Sequence, residues 1–279
     1  MANFDITPFV DKNSERYALS KRAGTIAGHI LRDFLYPQTV STGDFEFRDG
    51  QYSIEQINEG AWRPFDSANE FWGYPECYAW FRQTVTVPAS FAGRPVVYEL
   101  RPADGGWRDH DPQCILFADG RLVQCVDKNH NGALLLDCAK GGEVIEIAVN
   151  AYTDVHAWRG QVRMRAALRT MNPLALKLYY DLYTPLEAAN LYGADDLARV
   201  RIVKALNEAC NLLDISDPAN IEAFEKSAKA AIAYLDERVY GRFGDITACC
   251  VGHTHIDVAW LWRLRQTRDK AGRSFGTVL

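Results

Sequence analysis

The sequence predicts an α+β protein of more than one domain: an antiparallel β-sandwich, then a helical region, then one β-α unit of a parallel α/β domain. The main observation is a change of hydrophobic period near residue 170, where two-residue alternation gives way to a repeat of three to four. A second change comes near residue 246, where a short apolar run is typical of a strand buried on both faces. The 279 residues allow one large or two medium domains.

Composition and charge argue against two classes of partner. The chain has 31 basic and 36 acidic side chains and a net charge of −5, which is atypical of a nucleic-acid-binding surface. Its 48% hydrophobic content is that of a globular protein, and no segment approaches the ~20 apolar residues that span a membrane. We expect neither nucleic acid nor a membrane as a partner.

The N-terminus and the cysteines indicate a cytoplasmic location. The first eight residues lack a basic segment leading into an apolar run, so neither secretion nor organelle import is signalled. The seven cysteines are an odd number, and the adjacent Cys249 and Cys250 lie in an apolar run, which favours reduced, buried thiols over disulfides.

The predicted sandwich domain covers residues 1–170, including an irregular N-terminal extension. Its β-rich runs are separated by Gly, Pro and Asp clusters, as in antiparallel sheets; they lie at residues 84–87, 96–100, 114–117, 134–136, 144–149 and 162–168. In the last run apolar residues alternate with Arg163 and Arg165, and Arg169 follows. A solvated sheet face is favoured for these arginines over an anion-binding one.

The predicted helical region covers residues 171–244. Asn172 and Pro173 are typical of an N-cap and a first helical position, and leucines recur four apart at 178, 182 and 186. Pro185 is expected to kink this helix or to restart it after Thr184. A second helix is predicted from residue 197 to 213, and a third begins at Asp217 and Pro218.

Residues 245–279 are predicted to begin an α/β domain. The run 246–251 reads as a buried strand, and a helix-like pattern follows from Val258. One such unit is not a domain, because a parallel strand needs neighbouring strands and helices on both faces. Its apolar groups must therefore be covered by the helices, by another chain, or by nothing, and we expect a non-native packing or a homo-oligomer contact there.

His253, His255 and Asp257 are the candidate metal-binding residues. They are spaced by two, and in an extended backbone such side chains project to the same side, so an imidazole and a carboxylate can converge on one ion. Nitrogen and oxygen donors suit zinc. The spacing alone leaves open that these groups only cap and hydrogen-bond the loop. One imidazole and one carboxylate are only two ligands, which is fewer than the three that a catalytic zinc takes from the protein.

The C-terminal motif resembles a known family. Residues 251–262 read Val-Gly-His-Thr-His-Ile-Asp-Val-Ala-Trp-Leu-Trp, and Arg-Leu-Arg-Gln-Thr follows at 263–267. This run closely resembles the first catalytic segment of the glycoside hydrolase family 38 α-mannosidases. Upstream, residues 80–82, 86–88 and 117–122 look like the N-terminal β-sandwich of that family, which is related to galactose-binding-like jelly rolls. Residues 127–130 are similar to a loop of that sandwich.

The resemblance implies a zinc-dependent, retaining α-mannosidase that hydrolyses terminal α-mannosides of glycans or oligosaccharides. It implies that residues 245–279 begin a (β/α) barrel and that each full-length subunit holds one zinc ion. His255 and Asp257 match two of the family's four zinc ligands, and Trp260 matches the aromatic residue on which the mannose rests. His253 matches the first histidine of the motif, which orients the loop and is not a ligand.

The resemblance also implies that the catalytic groups lie elsewhere. The family's nucleophile is an aspartate that also binds zinc, and it and the acid/base carboxylate come well downstream of this motif, beyond Leu279. Retention needs these two carboxyl groups about 5 Å apart. No catalytic residue is assigned within this chain, and we expect it to be inactive alone because its zinc site is incomplete.

Two rival functions remain open. A non-catalytic carbohydrate-binding or assembly module would bind mannosides through the sandwich. A self-contained zinc hydrolase would need further ligands from histidines without ligand spacing, namely His29, His110, His130 and His156.

For two other segments a structural role is favoured over a functional one. The aromatic stretch of Trp62, Trp72, Tyr74, Trp80 and Phe81 could stack sugars, but burial in the core is favoured. Residues 104–111 bunch carboxylates without the pattern of a calcium loop, which favours a solvated loop.

Overall fold

A computed structural model describes most of the chain: residues 15–102, 112–127, 130–153, 162–193, 195–242, 247, 249, 251–253, 255–259 and 264–278. The chain divides into two compact units. The helical unit comprises residues 1–37 and 171–248, and the β unit comprises residues 38–170 and 249–279.

The described residues of the β unit form two antiparallel sheets. Its strands are β1 (Thr39–Ser41), β2 (Phe45–Asp49), β3 (Arg63–Phe65), β4 (Tyr78–Thr86), β5 (Val96–Arg101), β6 (Gln113–Ala118), β7 (Arg121–Val126), β8 (Gly132–Leu136), β9 (Val144–Tyr152) and β10 (Arg165–Thr170). The order is β1-β10-β5-β8 in the four-stranded sheet and β3-β2-β4-β9-β6-β7 in the six-stranded sheet. Every pair among the described strands is antiparallel, which confirms the antiparallel sheets predicted for this domain.

The core of the β unit lies between the two sheets, because alternate residues of each strand point to one face. Buried side chains of both sheets meet there, including Phe81 of β4, Tyr98 of β5 and Leu168 of β10. β4 and β9 pair over nine residues, from Tyr78 opposite Tyr152 to Thr86 opposite Val144. This long pairing makes them the centre of the six-stranded sheet.

A smaller apolar cluster covers the outer face of the six-stranded sheet. Ile57, Trp80 and Ala148 are buried there, with Tyr52 and Trp62 packed against them. Trp80 and Phe81 therefore lie on opposite faces of β4, and both are buried. Burial of the aromatic stretch is confirmed for these two and for Trp72, whereas Tyr74 is exposed.

The arginines of β10 are only partly solvated, contrary to the sequence-based expectation. Arg165 is exposed, but Arg169 lies 2.9 Å from the buried carboxylate of Glu99 on β5. Arg101 pairs with the same carboxylate at 3.1 Å. Burying a carboxylate without a cation would be costly, so Glu99 holds Arg169 against the sheet.

In its described part, the helical unit contains four α-helices: α1 (Glu15–Asp33), α2 (Pro173–Asn190), α3 (Leu197–Asn211) and α4 (Ile221–Arg238). The expectation of an irregular N-terminal extension is therefore wrong for residues 15–33. Ala23, Ala27 and Ile30 of α1 are buried against the other helices. Phe34 stacks on Phe224 of α4 with ring centroids 4.2 Å apart. The three-to-four spacing of these apolar residues was the missed signal.

The start of α2 confirms the sequence prediction. Asn172 is its N-cap, and its side-chain Oδ1 accepts hydrogen bonds from the backbone N–H of Leu174 and Ala175 at 3.1 and 3.4 Å. Pro173 occupies the first turn, where its missing N–H costs nothing.

Replacing Asn172 with alanine is expected to lower the free energy of unfolding by about 1 to 2 kcal/mol, because two backbone donors of α2 lose their acceptor. Chemical denaturation followed by circular dichroism measures this loss. Asn172→Ser is the matched control, since its hydroxyl can still cap the helix. Equal losses in the two variants would contradict a capping role.

α2 does not restart at Pro185, contrary to one of the two expected outcomes, and runs unbroken from Pro173 to Asn190. Proline cannot donate to the carbonyl four residues earlier, which belongs to Asp181. The Tyr240 hydroxyl donates a hydrogen bond to that carbonyl at 3.2 Å. Burial raises the pKa of Tyr240 to about 12, so its hydroxyl keeps the proton it donates. A contact distant in sequence thus satisfies the carbonyl.

α4 begins later than predicted. Asp217 Oδ1 accepts a hydrogen bond from the backbone N–H of Ala219 at 2.9 Å, which makes residues 217–219 a turn. Asn220 is the N-cap instead, and its side chain accepts from the backbone N–H of Ala223. Both Asp217 and Asn220 are good caps by type, and only the side-chain geometry distinguishes them.

The described cysteines carry free thiols. Four of them, Cys77, Cys114, Cys125 and Cys210, are buried, while Cys138 and Cys249 are exposed. The expectation of a buried Cys249 is therefore wrong, and Cys250 lies outside the described residues. Burial raises the pKa of Cys77 and of Cys210 to about 11.

Thiol labelling of the folded chain near neutral pH is expected to modify Cys138 and Cys249 first. The thiolate is the reactive form, and a raised pKa together with burial keeps Cys77 and Cys210 protonated and shielded. Peptide mapping by mass spectrometry reads out each site, with the urea-unfolded chain as the control. Labelling of Cys77 in the folded chain as fast as Cys138 would contradict this burial.

None of the helices in the described part of the chain combines the length and apolar character needed to cross a membrane.

Candidate functional site

The described residues of the run 246–251 do not form the predicted strand. Thr247, Cys249 and Val251 are exposed, lie in no regular secondary structure and pair with none of the described strands. The other three residues of the run lie outside the described part. An apolar strand buried on both faces needs neighbours, and the described sheets place none beside these residues.

The sequence predicts a helix from Val258. Its described part is α5 (Leu264–Val278), which follows the motif. Val258 and Ala259 form a bend, and the Thr267 hydroxyl donates a hydrogen bond to the carbonyl of Val258. That bond ties the segment carrying the motif to the first turns of α5. Trp260, the predicted mannose-contacting residue, lies outside the described residues.

α5 packs on the six-stranded sheet, which the sequence pattern did not predict. Gln266 is 2% exposed and its side-chain amide donates to the hydroxyl of Tyr152. The hydroxyl of Tyr78 donates to the Asp269 carboxylate at 2.9 Å. Tyr78 and Tyr152 face each other across β4 and β9 with ring centroids 4.7 Å apart. The spacing of three between Gln266 and Asp269 places them on one face of the helix. This spacing was the sequence signal for a polar contact face on α5.

His255 and Asp257 are brought together as the sequence predicts. His255 Nε2 lies 3.0 Å from Asp257 Oδ1, a hydrogen-bonding distance. The His255 side chain is 81% exposed and that of Asp257 is 49% exposed, so nothing buries this pair within the described chain. The two donor atoms therefore lie side by side at the surface, where a further ligand and a substrate could approach.

The other histidines do not complete a metal site in the described residues. His253 is exposed and makes no side-chain hydrogen bond there. His29 has a local partner in Asp33 at 3.4 Å, and His130 has one in Asp127 at 3.3 Å. No group of three His, Cys, Asp or Glu side chains in the described ranges could hold one metal ion. His156 and all of residues 104–111, which include His110, lie outside those ranges.

Comparison with known proteins identifies relatives of the chain. The family described as "Glycosyl hydrolases family 38 N-terminal domain" matches residues 245–279. α-Mannosidase 2C1 of Homo sapiens is 28% identical over 264 residues, covering 90% of this chain and 23% of that protein. α-Mannosidase G of Dictyostelium discoideum is 23% identical over 214 residues, covering 72% of this chain and 19% of that protein. These matches confirm the resemblance to family 38 α-mannosidases. The chain spans about a fifth of the length of these relatives.

Among solved structures, similarity is distant. A β-glucuronidase from glycoside hydrolase family 2 matches with a TM-score of 0.34 and 18% identity, over 48% of this chain and 18% of that one. A β-glucuronidase of Ruminococcus gnavus matches with a TM-score of 0.34 and 11% identity, over 50% and 30%.

Proposed function

We propose that the chain is the N-terminal part of a cytoplasmic, zinc-dependent, retaining α-mannosidase that hydrolyses terminal α-mannosides of glycans or oligosaccharides. The observation that carries this is the family 38 match at residues 245–279 together with the adjacency of His255 and Asp257 inside it. The β unit corresponds, in this proposal, to the galactose-binding-like sandwich of the family, and residues 245–279 to the start of its (β/α) barrel.

His255 and Asp257 fit two positions of a zinc site. Their donors are an imidazole nitrogen and a carboxylate oxygen, which is the ligand chemistry that zinc takes in catalytic sites. Both side chains are accessible, and the 3.0 Å between His255 Nε2 and Asp257 Oδ1 supports their binding one ion together. When bound, zinc acts as a Lewis acid that stabilises developing charge at a substrate oxygen. The pair would supply half of a four-ligand site.

The remaining functional groups are assigned by the same proposal. Trp260 offers an indole ring against which the apolar C–H face of a mannose can rest. The nucleophile and the acid/base carboxylate lie on later parts of the full protein, so the 279-residue chain binds zinc weakly and does not turn over substrate.

The test measures hydrolysis of an aryl α-mannoside, with zinc added, by this chain and by the protein extended beyond Leu279. Activity in the extended protein only is the expected result, because retention requires two carboxyl groups in register. Activity in the isolated chain would instead establish a self-contained hydrolase. Mannoside binding without turnover in the extended protein would favour a carbohydrate-binding or assembly module.

A further inference from the structure

We propose that the outer face of the six-stranded sheet carries a binding groove for a neutral pyranoside, either a single sugar ring or a short glycoside. The groove encloses about 340 Å³ over β2, β4 and β9. This volume is at the lower end of the range found for small-molecule sites. The inference does not rest on the proposed hydrolysis, because binding here requires no catalytic group.

One wall of the groove is residues 54–58, which the side chains of Arg48 and Trp62 hold in place. Arg48 Nη1 donates hydrogen bonds to the carbonyls of Gln56 and Ile57 at 3.0 and 3.2 Å. The indole of Trp62 donates to the same Ile57 carbonyl at 3.0 Å. Because these bonds are made within the chain itself, little conformational freedom of the wall is lost when a ligand binds.

The opposite wall is the turn between β6 and β7. Asp119 and Gly120 both have positive φ angles, 49° and 74°, as the two-residue hairpin turn requires. The turn is clamped to β9: the Asp119 N–H donates to the Glu146 carbonyl at 2.8 Å. The Glu146 N–H in turn donates to Asp119 Oδ1 at 2.9 Å. Both walls are therefore preformed.

The floor combines charged and uncharged polar groups. Glu46 and Arg82 lie directly opposite each other in β2 and β4, with Oε2 and Nε 2.6 Å apart. The Arg82 guanidinium also lies 4.3 Å over the ring of Trp62, which holds its plane in one orientation. Three further polar side chains line the groove and make no side-chain hydrogen bond in the described chain: Asn58, Thr84 and Glu146.

These groups select a neutral, hydroxyl-rich ligand over an anion. The one cation, Arg82, is already compensated by Glu46, and Glu146 adds a second negative charge, so a phosphate or a uronate would meet net repulsion. A hydroxyl group can donate to a carboxylate and accept from an amide or a guanidinium at once. Ile54 and Ala148 add an apolar patch beside these groups, which suits the C–H face of a pyranose ring.

The experiment titrates the ¹⁵N-labelled 279-residue chain with methyl α-D-mannopyranoside, methyl β-D-glucopyranoside and glucuronate, followed by NMR. We expect saturable shifts of the backbone amides of Gly120 and Ala148 with at least one neutral glycoside, at a dissociation constant of about 1 mM or weaker. Glucuronate should bind at least about tenfold more weakly because of charge repulsion. No saturable shift with either neutral glycoside, or equal binding of glucuronate, would overturn the proposal.

Two variants locate the binding. Thr84→Phe fills the groove from its floor and should weaken binding at least about tenfold. Thr86→Phe is its matched control, since Thr86 is exposed on the same face of β4 but does not line the groove. Glu146→Gln keeps the shape and removes a charged acceptor, so binding should fall about three- to tenfold. Full-strength binding in the folded Thr84→Phe and Glu146→Gln chains would place the ligand elsewhere and refute the groove.

Discussion

Replacing Asp257 with alanine in the protein extended beyond Leu279 is expected to lower kcat/KM for an aryl α-mannoside by about a thousandfold or more, equivalent to about 4 kcal/mol of transition-state stabilisation. The substitution removes a proposed zinc ligand, and zinc sites owe a binding free energy of order 10 kcal/mol to their full ligand set. Asp257 is half-exposed and its described side-chain contact is His255, so the fold should be unaffected to within about 0.5 kcal/mol.

Two further variants separate metal binding from loop structure. His255→Ala should reproduce the loss, with a matching fall in bound zinc measured by mass spectrometry of the metal. His253→Ala is the matched control, because this exposed imidazole is not a proposed ligand and zinc content should be retained. The ligand assignment fails if Asp257→Ala keeps both activity and zinc, or if His253→Ala loses as much zinc as His255→Ala.

Replacing Phe81 with alanine is expected to lower the free energy of unfolding of the β unit by about 3 to 5 kcal/mol. Phe81 is fully buried and its ring centroid lies between 5.1 and 5.8 Å from those of four other aromatic rings, namely Phe45, Phe47, Phe65 and Trp72. The loss combines the transfer of a phenyl ring to water with a cavity that rigid neighbouring strands cannot close.

Urea denaturation followed by tryptophan fluorescence measures this change, since Trp72 lies 5.2 Å from Phe81. Phe275→Ala is the matched control, because it also removes a phenyl ring, but Phe275 in α5 is 55% exposed. Its removal should therefore cost less than about 1 kcal/mol. Similar losses for the two substitutions would show that Phe81 is not at the centre of the core.

Much of the fold was predictable because its signals are local. Alternating apolar residues at 162–168 predict strand β10, since a strand turns successive side chains to opposite faces. Asn172 is predictable as an N-cap because its partners, Leu174 and Ala175, are two and three residues away. The adjacency of His255 and Asp257 follows in the same way from a spacing of two.

Other features depended on contacts between distant residues. α1 joins the helical unit through Phe34 on Phe224 and through Asn207 of α3, whose side chain donates to the carbonyl of Leu19 at 3.0 Å. The continuity of α2 at Pro185 depends on the hydroxyl of Tyr240, which lies 59 residues from its acceptor Asp181. No periodicity within either segment reveals such a partner.

The sequence by itself determined strands β4 to β6 and β8 to β10, helices α2 to α4, the cap of α2 and the resemblance carried by the motif at residues 251–267. Backbone periodicity and hydrogen bonds across a few residues are sufficient for these, because they do not depend on how the chain returns on itself. Only the tertiary structure decided that α5 docks on the sheet through Tyr78 and Tyr152, and that the outer sheet face forms a groove. Both arise where side chains from different strands and loops meet, and that meeting is fixed by packing and strand register.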